Sequence, residues 1–255
     1  MEALFGLMPP GLWVAAFAIA VLGGLVKGVV GFAMPMVMIS LLSTLIAPEL
    51  ALAGLILPTL ITNVAQALWQ GAGAAWASAR RFWIFLCVGG VVLLASAQLV
   101  RVLPIPVLLG IIGVPVVGFA LLQLAGWRFA LARQRAGVEA GIGAFAGFLG
   151  GVSGIWGPPT VLYLTALGTE KKEQMRAQGV IYGLGSVALA AAHVSSGVLN
   201  PDTVPFSAAL ILPALLGQWI GGKLLDRIDQ VVFRRATLLV LLVVGLNLIR
   251  RALVA

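Results

Sequence analysis

The sequence predicts an all-α polytopic membrane protein made of two inverted-topology repeats, each a broken-helix hairpin followed by three transmembrane helices. Three observations carry this. Hydrophobic residues make up 61% of the chain and charged residues 9%, with a mean hydropathy of +1.11, whereas a soluble globular chain is roughly a quarter charged. The apolar runs reach the ~20 residues a spanning helix needs and lack the alternation of an outer-membrane barrel. The stretch Gly23 to Pro35, GGLVKGVVGFAMP, returns as Gly147 to Pro159, GFLGGVSGIWGPP, and a shift of 123 positions superposes Gly24 on Gly147, Gly28 on Gly151, Gly31 on Gly154 and Pro35 on Pro158. Matched glycines and prolines at one offset point to an internal duplication. A further observation, the placement of basic residues, fixes how the repeats face.

The first apolar run extends from about Gly11 to Ala47. As one helix it would be roughly 55 Å long, against a hydrocarbon core of about 30 Å, so it must break. The break is expected at Gly28 to Pro35, where glycines release the backbone and Pro35 suits the first turn of a new helix. This gives a helix over about 12–27 and a short one over about 34–46, a hairpin that dips into the bilayer and returns. Spans follow at about 50–70, 82–100 and 105–124. The second half repeats the plan with a broken pair at about 138–151 and 158–167 and spans at about 175–195, 204–225 and 232–253. Residues 1–126 form the first repeat, 127–137 a cytoplasmic inter-repeat loop, and 138–255 the second repeat.

Counting charges separates two topologies. If each broken run crosses once, seven basic residues fall on one side and eight on the other. If each is a hairpin with no net crossing, Arg80, Arg81, Arg128, Arg133, Arg135, Lys171, Lys172, Arg176, Lys223, Arg227, Arg234 and Arg235 share one side, with only Arg101, Arg250 and Arg251 opposite. Twelve against three fits the positive-inside rule and puts both termini outside. The 16 basic against 8 acidic residues therefore read as topology signals and not as a nucleic-acid surface. Cys87 is the single cysteine, inside an apolar run, so no intrachain disulfide or thiol-metal site is expected. The Met-Glu start lacks a basic n-region, so no removable signal peptide is expected.

Unwound backbone at membrane depth is tolerated where it lines a cavity. In secondary transporters, half-helix N-termini from two inverted repeats point their positive ends at an anionic substrate near the midplane. The N-termini at Pro35 and Pro158 are the candidates, with Gly28, Gly31, Gly151, Gly154 and Gly157 letting an anion approach the amides. The competing expectation is that these glycines only let helices pack closely.

A Gly-rich broken helix ending Gly-Phe-Ala-Met-Pro (Gly31 to Pro35), Asn63 in the next span, and a second copy ending Gly-Ile-Trp-Gly-Pro-Pro (Gly154 to Pro159) followed by Gln174-Met175-Arg176-Ala177 resemble the sulfite exporter TauE/SafE family. The resemblance covers about Leu12 to Leu248. It implies a bacterial cytoplasmic (inner) membrane permease for sulfite, sulfonates or related sulfur anions, with export as the direction; in that membrane the charge count makes both termini periplasmic.

Lys27 is the one basic residue placed inside the core, where it attracts the anion or snorkels its stem to the surface. Asn63 with Gln66, and Gln178 with Tyr182, each share a helix face and could offer donors to oxyanion oxygens or make ordinary interhelical bonds. Phe32, Ser153, Trp156 and Thr160 flank the breaks and complete the expected substrate site with Lys27, Gly28, Gly31, Pro35, Gly154, Gly157 and Pro158. His193, the sole histidine, is a proton-coupling candidate or an interfacial structural residue. Trp13, Trp69, Trp83, Trp127 and Trp219 read as interfacial belt anchors.

A rival class is an intramembrane serine protease of the rhomboid type, because Gly151-Val152-Ser153-Gly154 offers a nucleophile and His193 a base. The same glycines recur at Gly28 and Gly31 with Val30 in place of the serine, so duplication already explains the motif. A passive anion channel would use the same architecture. No nucleotide-binding loop occurs, so no cofactor or ATP hydrolysis is expected and the chain is not expected to be an enzyme. The expected partners are a small anionic substrate and the lipid bilayer, without nucleic acid; a homo-oligomer is left open.

Overall fold

The computed structural model describes residues 9–96, 105–127, 130–153 and 156–254, which form twelve helices and, among the described residues, no strand. Helix α1 (Pro10–Val30) ends where Gly31 takes φ 88°, and Ala33 follows at φ 72° before α2 (Met34–Leu42) begins. The break thus falls within the expected Gly28 to Pro35, and the first helix runs three residues past the end expected for it at about residue 27. Gly28 stays helical because it is pressed against a neighbouring helix, described below, and only Gly31 to Ala33 unwinds. A left-handed alanine costs about 1–2 kcal/mol, so the surrounding packing must hold this corner. A Cβ on Gly23 would stand 3.1 Å from both Met34 and Met38, so α2 folds back along α1 as a hairpin.

Helix α3 (Pro48–Leu68) carries Pro58, which cannot donate to the carbonyl of Gly54. Ser207 repairs the gap, donating to Gly54 O (3.4 Å) and accepting from Leu57 N (3.1 Å). Helix α4 (Ala72–Arg81) then bends by 74° into α5 (Trp83–Ser96); no element is expected at α4 from the sequence. Helix α6 (Ile105–Leu124) closes the first half.

The second half runs α7 (Ala136–Ser153), α8 (Gly157–Ala166), α9 (Lys171–Ser195), α10 (Val204–Ala209), α11 (Ile211–Arg227) and α12 (Gln230–Val254). Helices α10 and α11 are one span interrupted at Leu210, where Pro213 has no N–H for the carbonyl of Ala209. Among the described residues, helices α1, α3, α9, the α10–α11 unit and α12 are long and apolar enough to cross a bilayer, and the bent α4–α5 pair is apolar enough to count as a sixth span only if its two helices are taken together.

Four helix pairs build the bundle: α1 with α11, α5 with α7, α3 with α9, and α6 with α12. Exchanging α1–α6 for α7–α12 leaves this set unchanged. The first two pairs run parallel on glycine seams. A Cβ on Gly24 would stand 2.1 Å from Ala214 O, on Gly28 2.3 Å from Gln218 O, on Gly217 2.0 Å from Val21 O, and on Gly147 2.2 Å from Gly89 O. Only glycine lets backbones meet this closely. The other two pairs run antiparallel, as shown for α3 and α9 by Asn63 beside Tyr182 and, nearer the C-terminal end of α3, Ala67 beside Gly179.

Polar contacts gather basic residues at one end. Arg81 pairs with Glu173 (2.6 Å) and Lys172 with Asp226 (3.6 Å), while Arg176 donates to Ser78 (2.7 Å) and Gln70. Gln134, in the loop after α6, donates to Arg81 O (2.9 Å) and to Glu139 (2.5 Å). Arg250 and Arg251 sit at the other end of α12. Trp69, Trp76, Trp83, Trp127 and Trp219 are exposed. Trp13 is not a belt anchor: it is buried edge-on to Phe206, ring centroids 5.4 Å apart.

Candidate functional site

Both breaks meet at one cavity of about 100 Å³. The first contributes Phe32, Ala33, Pro35 and Met36, with Lys27 from the last turn of α1; the second contributes Trp156, Gly157 and Pro158. Thr59 and Asn63 from α3 and Tyr182 and Leu189 from α9 complete the wall. The N-termini of the short helices α2 and α8 thus open onto the same space, each bringing the partial positive charge of its unpaired amides.

Lys27 is 2% exposed and does not snorkel. Its ammonium donates to Asn63 Oδ1; Asn63 Nδ2 donates to Tyr182 O (3.2 Å), and the Tyr182 hydroxyl donates to Gly157 O (3.0 Å). This relay ties the two broken pairs together through the antiparallel α3 and α9. None of the ion pairs among the described residues includes Lys27. A buried cation with one neutral amide as partner retains much of its desolvation cost, so the cavity favours an anion. The Thr59 hydroxyl is buried here without a hydrogen-bond partner.

The other expected site residues are placed as follows. Gly28 lies in the α1–α11 seam and lines a second cavity at the basic end of the bundle. Gly31 offers its carbonyl to Gln66 Nε2 (3.0 Å) and, with the amide turned to face its acceptors, to Gln178 (2.8 Å). Gln66 also donates to Met175 O (2.8 Å) and Gln178 to Val30 O (3.2 Å). The two glutamines thus clamp the first break and do not line the central cavity. Thr160 is fully buried and donates to Trp156 O (2.9 Å). The Trp156 indole lies against Gly150 and Gly185 and divides the central cavity from an apolar groove of about 70 Å³ between α5, α7 and α9. The Ser153 side chain and Gly154 lie outside the described residues. His193 is about 16 Å along α9 from Tyr182, near the helix end, and is not among the cavity-lining residues.

Ala33, Met36, Thr59 and Leu189 line the cavity and are not among the residues expected from sequence. Thr59 was within reach, one turn before Asn63 on the same helix face.

The family model of the sulfite exporter TauE/SafE matches residues 16–248, a span that includes both breaks and all or most of every paired helix. The chain belongs to the sulfite exporter TauE/SafE family. As a member it is a membrane transporter, in a family of transporters of sulfite and related sulfur anions. No curated protein and no solved structure matches the chain.

Proposed function

We propose that the chain is a secondary transporter that exports a small sulfur-containing anion, sulfite or an organosulfonate, by alternating access at the central cavity. The single observation that carries this is Lys27, a buried ammonium with no carboxylate partner among the described residues, set between two half-helix N-termini. Lys27 attracts the anion, Asn63 and Thr59 orient it, and the amides at the starts of α2 and α8 receive its oxygens. The antiparallel pairing of α3 with α9 and of α6 with α12 supports two inverted repeats about this point, with the basic end cytoplasmic and both termini periplasmic. The layer formed by Gln66, Gly31 and Gln178 separates the central cavity from the one at the basic end, which supports a carrier over an open channel.

Ligand-dependent thermal unfolding of the purified chain tests this with sulfite, sulfoacetate, taurine and sulfate. A ligand that binds only the folded state raises the melting temperature. Stabilisation by a sulfur anion, absent in a folded Asn63→Ala variant, is the expected result; no stabilisation by any of them withdraws the sulfur-anion assignment.

A further inference from the structure

The second cavity, also of about 100 Å³, lies on the basic-end side of the Gln66–Gly31–Gln178 layer, and Gln66 and Gln218 both line it. They are 3% and 2% exposed. Both amide orientations are fixed. Gln66 Nε2 donates to Gly31 O and Met175 O, and Gln218 Nε2 donates to Thr62 O (3.0 Å), so turning either amide over would set oxygen against oxygen. Gln66 Oε1 and Gln218 Oε1 are left buried without a hydrogen-bond partner. Two unsatisfied acceptors on side chains of one cavity wall call for an electropositive guest. Neighbouring donors are turned elsewhere: Gln70 Nε2 to Lys172 O (2.7 Å), and the Lys172 ammonium to Asp226. Asp226 adds a carboxylate at the wall.

We propose that this cavity binds a small monovalent metal cation, with the amide oxygens of Gln66 and Gln218 as ligands and Asp226 as a longer-range negative charge. Neutral carbonyl-type oxygens suit hard cations, and a single carboxylate, already paired with lysine, is too little charge for a dedicated divalent site. Gln66 links this site to the other cavity. Its unpartnered oxygen would ligate the cation while its nitrogen holds the carbonyl of Gly31, so cation binding would tighten the corner on which the central cavity is built.

The test uses purified chain in choline chloride with no sulfur anion present, replacing choline by Na⁺, K⁺ or Li⁺ at constant ionic strength and reading thermal unfolding. One alkali cation is expected to raise the melting temperature saturably, and Gln218→Leu, which deletes the oxygen together with the bond to Thr62 O, is expected to lose that rise. An unfolding curve indifferent to all three cations, or a rise retained in Gln218→Leu, overturns the proposal. Should Gln218→Leu not fold, Asp226→Asn decides: loss of this exposed carboxylate at the cavity wall is expected to weaken the cation dependence severalfold, and an unchanged dependence overturns the proposal. Because no anion is present, a failed anion-binding assay has no bearing on this outcome.

Discussion

Replacing Lys27 by methionine should act in opposite directions on binding and on stability. An oxyanion about 4 Å from the ammonium gains about 4 kcal/mol at an effective dielectric near 20. Desolvating the anion takes back part of that gain, so the loss on substitution should be about 2–3 kcal/mol, or roughly 30- to 150-fold in Kd. The unliganded protein should respond differently. Lys27 is 2% exposed with Asn63 as its partner, and methionine fills similar space without several kcal/mol of charge burial. Against that, Asn63 Oδ1 loses its donor, about 1–3 kcal/mol. The unliganded variant should therefore melt at or above the wild-type temperature. Calorimetric titration with sulfite and thermal unfolding without it measure the two quantities. An affinity within threefold of wild type in a folded variant would refute the role given to the charge, and a large fall in unliganded stability would make Lys27 a structural residue.

Other expectations follow from the same packing. Gly217→Ala puts a Cβ 2.0 Å from Val21 O and should destabilise by about 1–3 kcal/mol or more, whereas Gly118→Ala meets nothing within 4 Å and should gain about 0.5–1 kcal/mol of helix propensity; thermal unfolding of the pair checks both signs. Gly31→Ala combines a φ of 88° with a Cβ 2.0 Å from the Gln178 side chain, so it should cost more than the ~1–2 kcal/mol of backbone strain and reduce transport with it. In a Cys87→Ser background, a membrane-impermeant maleimide applied to intact cells should label Asp202→Cys and spare Arg133→Cys; the reverse pattern would invert the topology.

The class and the two breaks were legible because both rest on composition and on glycines and prolines at one offset. The exact corner was not. Gly28 and Gly31 look alike in sequence, and what keeps one helical is α11, some 190 residues away, pressing on Gly28. Helix α4 was missed because ten residues carrying Arg80, Arg81 and Trp76 are too short and polar for a span. Their character is interfacial, with Arg80 6.0 Å from the exposed Trp76 ring. Lys27 could be placed at depth, but its partner Asn63 comes from α3. Gln66 and Gln178 were recognised as polar residues facing inward; that they grip the backbone of Gly31 depends on where the chain unwinds.

The helix pairing is symmetric between the two halves while the chemistry is not, and that asymmetry bears on selectivity. At the shared offset Lys27 corresponds to Gly150, where a Cβ would stand 3.0 Å from the Trp156 ring. One half thus supplies a cation and the other an indole in the corresponding space. A substrate between them would turn its charged group to Lys27 and any hydrocarbon part to Trp156. Removing the indole exposes the apolar groove beyond it. If about 50 Å² of substrate hydrocarbon packs on the ring, Trp156→Ala should cost about 1.3 kcal/mol, near tenfold, for an organosulfonate. Sulfite has no hydrocarbon to lose and should stay within threefold. Binding measured for both ligands on one variant preparation gives the ratio directly; equal losses would mean that Trp156 shapes the second break and contributes no selectivity.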